Sequence, residues 1–276
     1  MRDQGKESGA GGDGVAARVA SVVSIEDAPG PDLSVVIPIH NESGNIVDLI
    51  EEIVAILGGG VVYEIVVVDD GSSDDSADLV RRSTEPLAGL RLVCHADRRG
   101  QSAALLSGVR AARAPWIATL DGDGQNDPAD IPKLLQARDR AAQSGTPLQL
   151  VGGRRANRRD RWHKRASSNV ANAVRRRFLG DDTPDTGCGL KLFQRSAFLG
   201  LPHFDHFHRF LAALIRRQGG AIISVDVNHR PRRAGTSHYG VFDRLWVGVV
   251  DLFGVMWLQR RSLDPGDPER GSAPEE

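Results

Sequence analysis

Leu33-Ser-Val-Val-Ile-Pro-Ile39, closed by His40-Asn41-Glu42-Ser43-Gly44, is the stretch on which the fold of this chain turns. A short apolar run bounded by turn-forming polar residues has the character of a strand buried on both faces. The segments after it support that reading. Asn45 to Leu57 has helical spacing, with Ile46, Leu49, Ile50, Ile53 and Leu57 on one side. Glu64-Ile-Val-Val-Val68 is a second β-branched run, ended by Asp69-Asp70-Gly71-Ser72-Ser73. Asp74 to Ser83 reads as helix, Leu90 to Cys94 as strand, Gln101 to Ala112 as helix and Trp116 to Leu120 as strand. Strands alternating with helices make an α/β domain around a mostly parallel sheet. Beyond Leu150 the alternation weakens. Val151 closes one more strand, a helix is expected around Ser167 to Phe178 and a loop at Gly180 to Gly189. A helix over Phe207 to Gln218 and a strand over Ala221 to Asn228 complete the pattern.

The chain has 276 residues, 40% of them hydrophobic, which is enough for a real core. A net charge of −1 argues against a surface that grips nucleic acid throughout, and no nucleic-acid partner is expected. Charge is unevenly placed. Arg154 to Arg177 holds ten Arg or Lys residues against one acid, Asp160, whereas Asp264 to Glu276 is acidic. Two cysteines, Cys94 and Cys188, indicate no disulfide framework and fit a reducing compartment. The N-terminus lacks the order of a signal peptide, and no apolar run reaches the 18 residues of a membrane span. The expected divisions are a disordered tail over 1–31, the main domain over 32–230, a loop and amphipathic helix over 231–261, and an acidic tail over 262–276.

In an open α/β sheet, ligands sit beyond the carboxyl ends of the strands. Three polar clusters fall there: His40-Asn41-Glu42, Asp69-Asp70-Gly71-Ser72, and Asp121-Gly122-Asp123-Gly124-Gln125. Any one alone reads as a helix cap or turn. Three together are harder to explain so, because close carboxylates repel unless they share a cation. Asp121 and Asp123, one residue apart, can reach a hard divalent ion, and Gly122 between them leaves room for a diphosphate. A calcium loop is excluded, since its sixth-position Gly would be Asn126 and its twelfth-position Glu would be Pro132. Neither G-x-G-x-x-G after the first strand nor G-x-x-x-x-G-K-[ST] occurs, so a dinucleotide fold and a P-loop are unsupported.

In order, Val36-Ile-Pro-Ile-His-Asn-Glu42, Val68-Asp-Asp-Gly-Ser72 and Asp121-Gly-Asp-Gly-Gln125 resemble the family 2 glycosyltransferases. Within that family the chain looks like the dolichol-phosphate mannosyltransferase-like, or polyprenyl-phosphate glycosyltransferase, branch, over roughly three quarters of its length. The resemblance implies a GT-A type fold, a nucleotide diphosphate sugar donor and a polyprenyl phosphate acceptor. It assigns Pro38, His40, Glu42, Val68 and Asp70 to the base and ribose. Asp121, Asp123 and Gln125 would hold Mg2+ or Mn2+ against the donor diphosphate. His40 stands where the family commonly has Tyr, so base stacking would differ.

The basic stretch reads either as a solvated face or as a cradle for an anionic acceptor, gripped by guanidinium pairs. The resemblance places the acceptor phosphate on Arg154, in Gly152-Gly-Arg154, and on Lys164 with Ser168. Arg165 substitutes if the register shifts by one. Asp185, in Asp185-Thr-Gly-Cys-Gly189, is the carboxylate best placed for an acceptor-side role, with a loop cap as the alternative. Asp123, Arg154 and Asp185 are therefore the expected catalytic set. Arg232 and His238, in Arg232-Arg-Ala-Gly235-Thr-Ser237-His238-Tyr239, resemble a loop that closes over the donor phosphates, His238 replacing the usual Lys. Arg209 falls near a further basic position that reaches the diphosphate.

Tyr239 to Leu258 is apolar, interrupted by Asp243, Arg244 and Asp251. On a helical wheel Gly240, Arg244, Gly248 and Asp251 fall together, while Val241, Leu245, Val249, Leu252, Phe253 and Met256 face the other way. Trp246 and Trp257 lie near the apolar flank and Arg260-Arg261 come next. This is the composition of an interfacial helix, with docking on the protein's own core or on another subunit as the alternative. The expectation is a cytoplasmic enzyme peripherally associated with the inner face of the cell membrane, its oligomeric state open.

Overall fold

The computed structural model describes residues 30–84, 87, 89–155, 179–180, 183–231 and 241–261, with the side chains of 241–247 and 249 excepted. Seven strands form one sheet: β1 (Leu33–Ile39), β2 (Tyr63–Asp69), β3 (Leu90–Cys94), β4 (Trp116–Thr119), β5 (Leu148–Arg155), β6 (Lys191–Gln194) and β7 (Ala221–Val227). Their order is β3-β2-β1-β4-β6-β5-β7. β6 runs antiparallel to β4 and β5, and every other pairing is parallel. The mostly parallel α/β expectation therefore holds, with one strand reversed.

Helices α1 (Ile46–Leu57), α2 (Ser76–Thr84), α3 (Gln101–Ala111) and α4 (Ile131–Gln143) are followed by α5 (Arg195–Leu199), α6 (Leu211–Arg217) and α7 (Val241–Gln259). The alternation of side chains along each strand sorts the core into two layers. Val35 and Ile37 of β1 pack with the Ile46, Leu49, Ile50 and Ile53 face of α1 and with Ile131 and Leu134 of α4. Val36, Val66 and Val68 face the opposite layer, built from α3, α6 and the phenylalanines 193, 198, 207 and 210. One charged side chain sits at the far end of this sheet. Glu64 is fully buried, accepting from Ser34 Oγ at 2.6 Å, Arg113 N at 2.6 Å and Arg113 Nε at 3.1 Å.

The late helix expected over Phe207 to Gln218 divides into a 3-10 turn, Phe207–Phe210, and α6. The chain enters that turn through His206 at φ +62. The helix expected around Ser167 to Phe178 lies outside the described residues, as do most of the expected N-terminal tail and the acidic C-terminal tail.

The last helix departs from its wheel. Leu252, Val255 and Met256 pack onto the second core layer, and Arg217 donates from Nε to Leu258 O at 2.9 Å. Asp251, expected on the outer polar side, turns inward to within 3.4 Å of His206 Nδ1. Phe253, expected beside Leu252, points outward. Val250, Phe253 and Trp257 are 54%, 62% and 59% exposed, three of the four large apolar side chains so exposed among the described residues. No described helix is long and apolar enough to cross a membrane.

Candidate functional site

The first two strand ends are bound to each other. His40 Nδ1 donates to Asp70 O at 2.9 Å, Asn41 N to Ser72 Oγ at 2.9 Å, and Glu42 N to Ser76 Oγ at 2.9 Å. Ser73 N returns a bond to Asn41 Oδ1 at 2.8 Å. Asn41 sits at φ +57, a left-handed position that Asn tolerates better than most residues. Asp70 Oδ1 accepts from His95 Nδ1 and Arg99 N, both at 2.8 Å, and Oδ2 accepts from Gly100 N at 2.7 Å. Burial pushes this carboxyl up, but those hydrogen bonds outweigh it and hold it below the usual carboxylate range. Its neighbour Asp69 keeps Oδ1 buried without a hydrogen-bond partner. Val68 is fully buried beneath α3, so its side chain belongs to the core.

The third strand end opens onto a cavity of about 340 Å³. Pro38, Gln101, Asp121, Lys191, His208 and Arg209 are among its lining residues. Gln101 Nε2 donates to Asp121 Oδ1 at 2.9 Å, and Asp121 N to Asn126 Oδ1 at 3.0 Å. Burial first, then the charge of Asp123, push the Asp121 carboxyl above its ordinary value, against the weaker pull of Lys191 and Arg155. Gly189 packs directly on it: a Cβ there would lie 2.1 Å from Asp121 Oδ2. Gly122 also meets a packing requirement. A side chain on it would meet Ile39 Cγ2 at 2.6 Å, so packing against β1 demands glycine there.

Gln101, Lys191 and His208 are lining residues that stand outside every motif of the sequence. Lys191 opens β6 and donates to Cys188 O. Burial drives its ammonium below the ordinary lysine value, opposed by the charges of Cys188, Asp121 and Asp185. His208 is bonded through Nδ1 to Ser102 Oγ at 2.7 Å, and burial with the nearby charges of Lys191 and Arg209 pushes it down to about 3. It is neutral at physiological pH. No sequence pattern joins these residues, because they meet only through the sheet order.

The described donor set suits a divalent ion in part. Among the described residues no group of three or more His, Cys, Asp or Glu side chains gathers as a metal cage. Asp121 and Asp123 nevertheless form a like-charged pair whose mutual repulsion a cation would relieve. Mg2+ in particular is commonly held by one or two carboxylates, with phosphate and water filling its shell. The residues present fit that mode of binding. Gln125 contributes its backbone here: its N donates to Asp123 Oδ1 at 3.0 Å and its O accepts from Arg230 N at 2.9 Å.

Along β5, alternation separates two arginines. Arg154 turns to exposed Asp226, with Nη2 donating to Oδ2 at 2.8 Å. Arg155 turns the other way and forks onto Asp185, Nε to Oδ2 and Nη2 to Oδ1, both at 2.7 Å. Arg155 N adds a bond to Asp185 Oδ2 at 3.2 Å. Asp185 is therefore the partner of an arginine, and Arg155 Nη2 lies 3.3 Å from where a Cβ on Gly187 would stand, at the cavity wall. Lys164, Arg165, Ser168, Arg232 and His238 lie outside the described residues.

Residues 34–200 match glycosyl transferase family 2. The chain is 34% identical over 212 residues to an undecaprenyl-phosphate 4-deoxy-4-formamido-L-arabinose transferase of Edwardsiella ictaluri, covering 76% of this chain and 63% of that protein. It is 35% identical over 244 residues to a dodecaprenyl-phosphate galacturonate synthase of Rhizobium johnstonii, covering 85% and 69%. The match to the first of these thus spans less than two thirds of that protein's length. Glucosyl-3-phosphoglycerate synthase from Mycobacterium tuberculosis, solved with Mn2+, uridine diphosphate and glucosyl-3-phosphoglycerate, shares the fold at a TM-score of 0.61. That likeness holds at 19% identity and covers 95% of this chain and 88% of that one. With its carboxylate pair at the end of β4 in a seven-stranded α/β sheet, and with these likenesses, the chain belongs to the family 2 glycosyltransferases.

Proposed function

We propose that this protein transfers a sugar from a nucleotide diphosphate sugar to a polyprenyl phosphate at a membrane surface. The observation that carries the reading is the cavity beside Asp121, where one half-buried carboxylate of a like-charged pair shares the lining with Lys191 and Arg209. Relatives whose names specify undecaprenyl and dodecaprenyl phosphate support the acceptor class. Asp121 and Asp123, with Gln125 beside them, would hold Mg2+ or Mn2+ together with donor diphosphate oxygens. The ion, when bound, supplies positive charge against the departing nucleoside diphosphate.

The rest of the reaction falls to this chain's own groups. Arg209 and Lys191 face the cavity as cations able to orient phosphate oxygens. A phosphate monoester has its second pKa near 6, so at neutral pH it already carries the anionic oxygen that attacks the anomeric carbon. That oxygen forms the new bond while the bond to the nucleoside diphosphate breaks, its electron pair leaving with the diphosphate. No side chain need remove a proton. Asp185, held in a fork by Arg155, is placed to orient that arginine, and Arg155 joins Arg154, Lys164, Arg165 and Ser168 as acceptor-side groups.

The outward stripe of Val250, Phe253 and Trp257 with Arg260 and Arg261 suits a bilayer interface, apolar side chains entering and cations meeting anionic headgroups. The test is transfer from radiolabelled UDP- and GDP-sugars to undecaprenyl phosphate, with Mn2+ or with EDTA. Metal-dependent label in the organic phase, abolished by Asp123→Ala, is expected. Label confined to a hydroxyl acceptor in water would overturn the acceptor assignment.

A further inference from the structure

Arg230 lies about a hundred residues beyond the Asp121–Asp127 turn and yet braces it from outside. Its backbone N donates to Gln125 O at 2.9 Å. Its guanidinium spans two carboxylates, Nη2 to Asp127 Oδ1 at 2.6 Å and Nη1 to Glu52 Oε2 of α1 at 2.5 Å. The flanking residues extend the brace. Asn126 and His229 form an antiparallel bridge, and Asn228 N donates to Asp130 Oδ2 at 2.5 Å. Asp127 in turn caps the adjoining 3-10 turn, accepting from Ala129 N at 3.0 Å.

These bonds matter because the turn carries opposed charges. Asp121 and Asp123 sit one residue apart, and Gly124 between Asp123 and Gln125 has φ +70, a conformation with few local restraints of its own. Inside the turn, Asp121 N bonds to Asn126 Oδ1 and Gln125 N to Asp123 Oδ1. The outer brace fixes what those bonds leave soft. We propose that Arg230 is a positioning residue that sets the geometry of the Asp121–Asp127 turn for a divalent cation bridged to a nucleoside diphosphate. The proposal rests on the metal and diphosphate reading above. Arg230 acts through Asp127 and Gln125, as a support for the metal turn and not as a ligand. Outer-shell groups of this kind are worth about 10–100-fold in metal affinity.

The experiment measures Mn2+ binding to the full chain in the presence of UDP or of GDP, by loss of the free Mn2+ paramagnetic signal. Donor and acceptor KM and the melting temperature are read on the same proteins. Arg230→Gln is expected to weaken Mn2+·nucleotide binding about tenfold or more and to raise donor KM in proportion, with acceptor KM unchanged. Arg230→Lys recovers part of the loss, because one ammonium can keep one of the two carboxylates. Asp127→Asn moves binding in the same direction, and adding it to Arg230→Gln costs less than the sum of the two. If Arg230→Gln does not fold, Arg230→Lys and Asp127→Asn carry the comparison. The proposal is overturned if the folded variants bind Mn2+·nucleotide within about twofold of wild type, if donor and acceptor KM rise together, or if the two substitutions add. Failure of the wild type itself to bind Mn2+ with either nucleotide would instead remove the metal reading beneath it.

Discussion

Asp70 and Asp121 are the same residue type at strand ends of one sheet, with β1 between them, and their surroundings treat them in opposite ways. Asp70 follows β2 among donors: His95 and two backbone N–H groups bond it and hold its pKa down. Asp121 comes after β4 among hindrances: burial and Asp123 press it toward the neutral form, with Gln101 as a side-chain donor in reach. The first carboxylate is satisfied by the protein. The second is left with burial and a like charge that its own donors do not offset. The two carboxylates differ here in how many donors the chain supplies.

The sharpest way to test that contrast is Asp121→Asn. Transfer should fall on the order of 10²–10³-fold, as for loss of one preorganised electrostatic group, while the melting temperature rises, because a neutral amide relieves the strain that Asp121 bears. A melting temperature that drops would break the comparison. Asp70→Asn should do the reverse to stability. Hydrogen bonds to a charged group are lost, costing about 2 kcal/mol and lowering the melting temperature by roughly 4–8 °C, as read by calorimetry.

Acid should separate the two positions further. Asp70, lowered in the fold, contributes stability that is present above its ordinary value of 3.8 and lost as pH falls through its folded pKa. Asp121, raised in the fold, is stabilising only where it is protonated, and that contribution is lost as pH rises through its folded value. Melting curves taken from pH 7 down to about 4 should therefore show the gap between wild type and Asp121→Asn closing, while the gap to Asp70→Asn stays open. The smallest effect concerns histidines. With His208 held at about 3, its substitution by Gln should leave the pH profile of donor KM unchanged in shape. His238→Lys should flatten a rise of about two- to threefold between pH 6 and 8, the range in which an ordinary His loses charge.

The half of the chain before Leu120 was legible because its strands are short, mostly apolar runs ended by turn-forming polar residues and its first helix keeps a clean apolar stripe. Leu33–Ile39 and Leu90–Cys94 stand where the pattern put them. The α4 helix went unread although its signal was present: Ile131, Leu134 and Leu135 share a face behind the Asp127 cap. β6 offered no comparable signal, being four residues long with two buried side chains. Arg155 drew no role from the sequence, since the way two adjacent arginines part along β5 depends on strand alternation that composition does not display. Lys191 and His208 required the sheet order itself. α7 failed at a finer level, because its apolar residues serve two surfaces and one wheel cannot divide them.

The brace around Arg230 has a consequence in time. A ribosome completes Asp121 to Asp127 roughly a hundred residues before it delivers Arg230, an interval on the order of 5–20 s at ordinary elongation rates. Throughout that interval the nascent chain owns every acid of the turn but not the arginine that clamps it from outside. The turn is thus synthesised early and takes its final shape only when synthesis has passed β7.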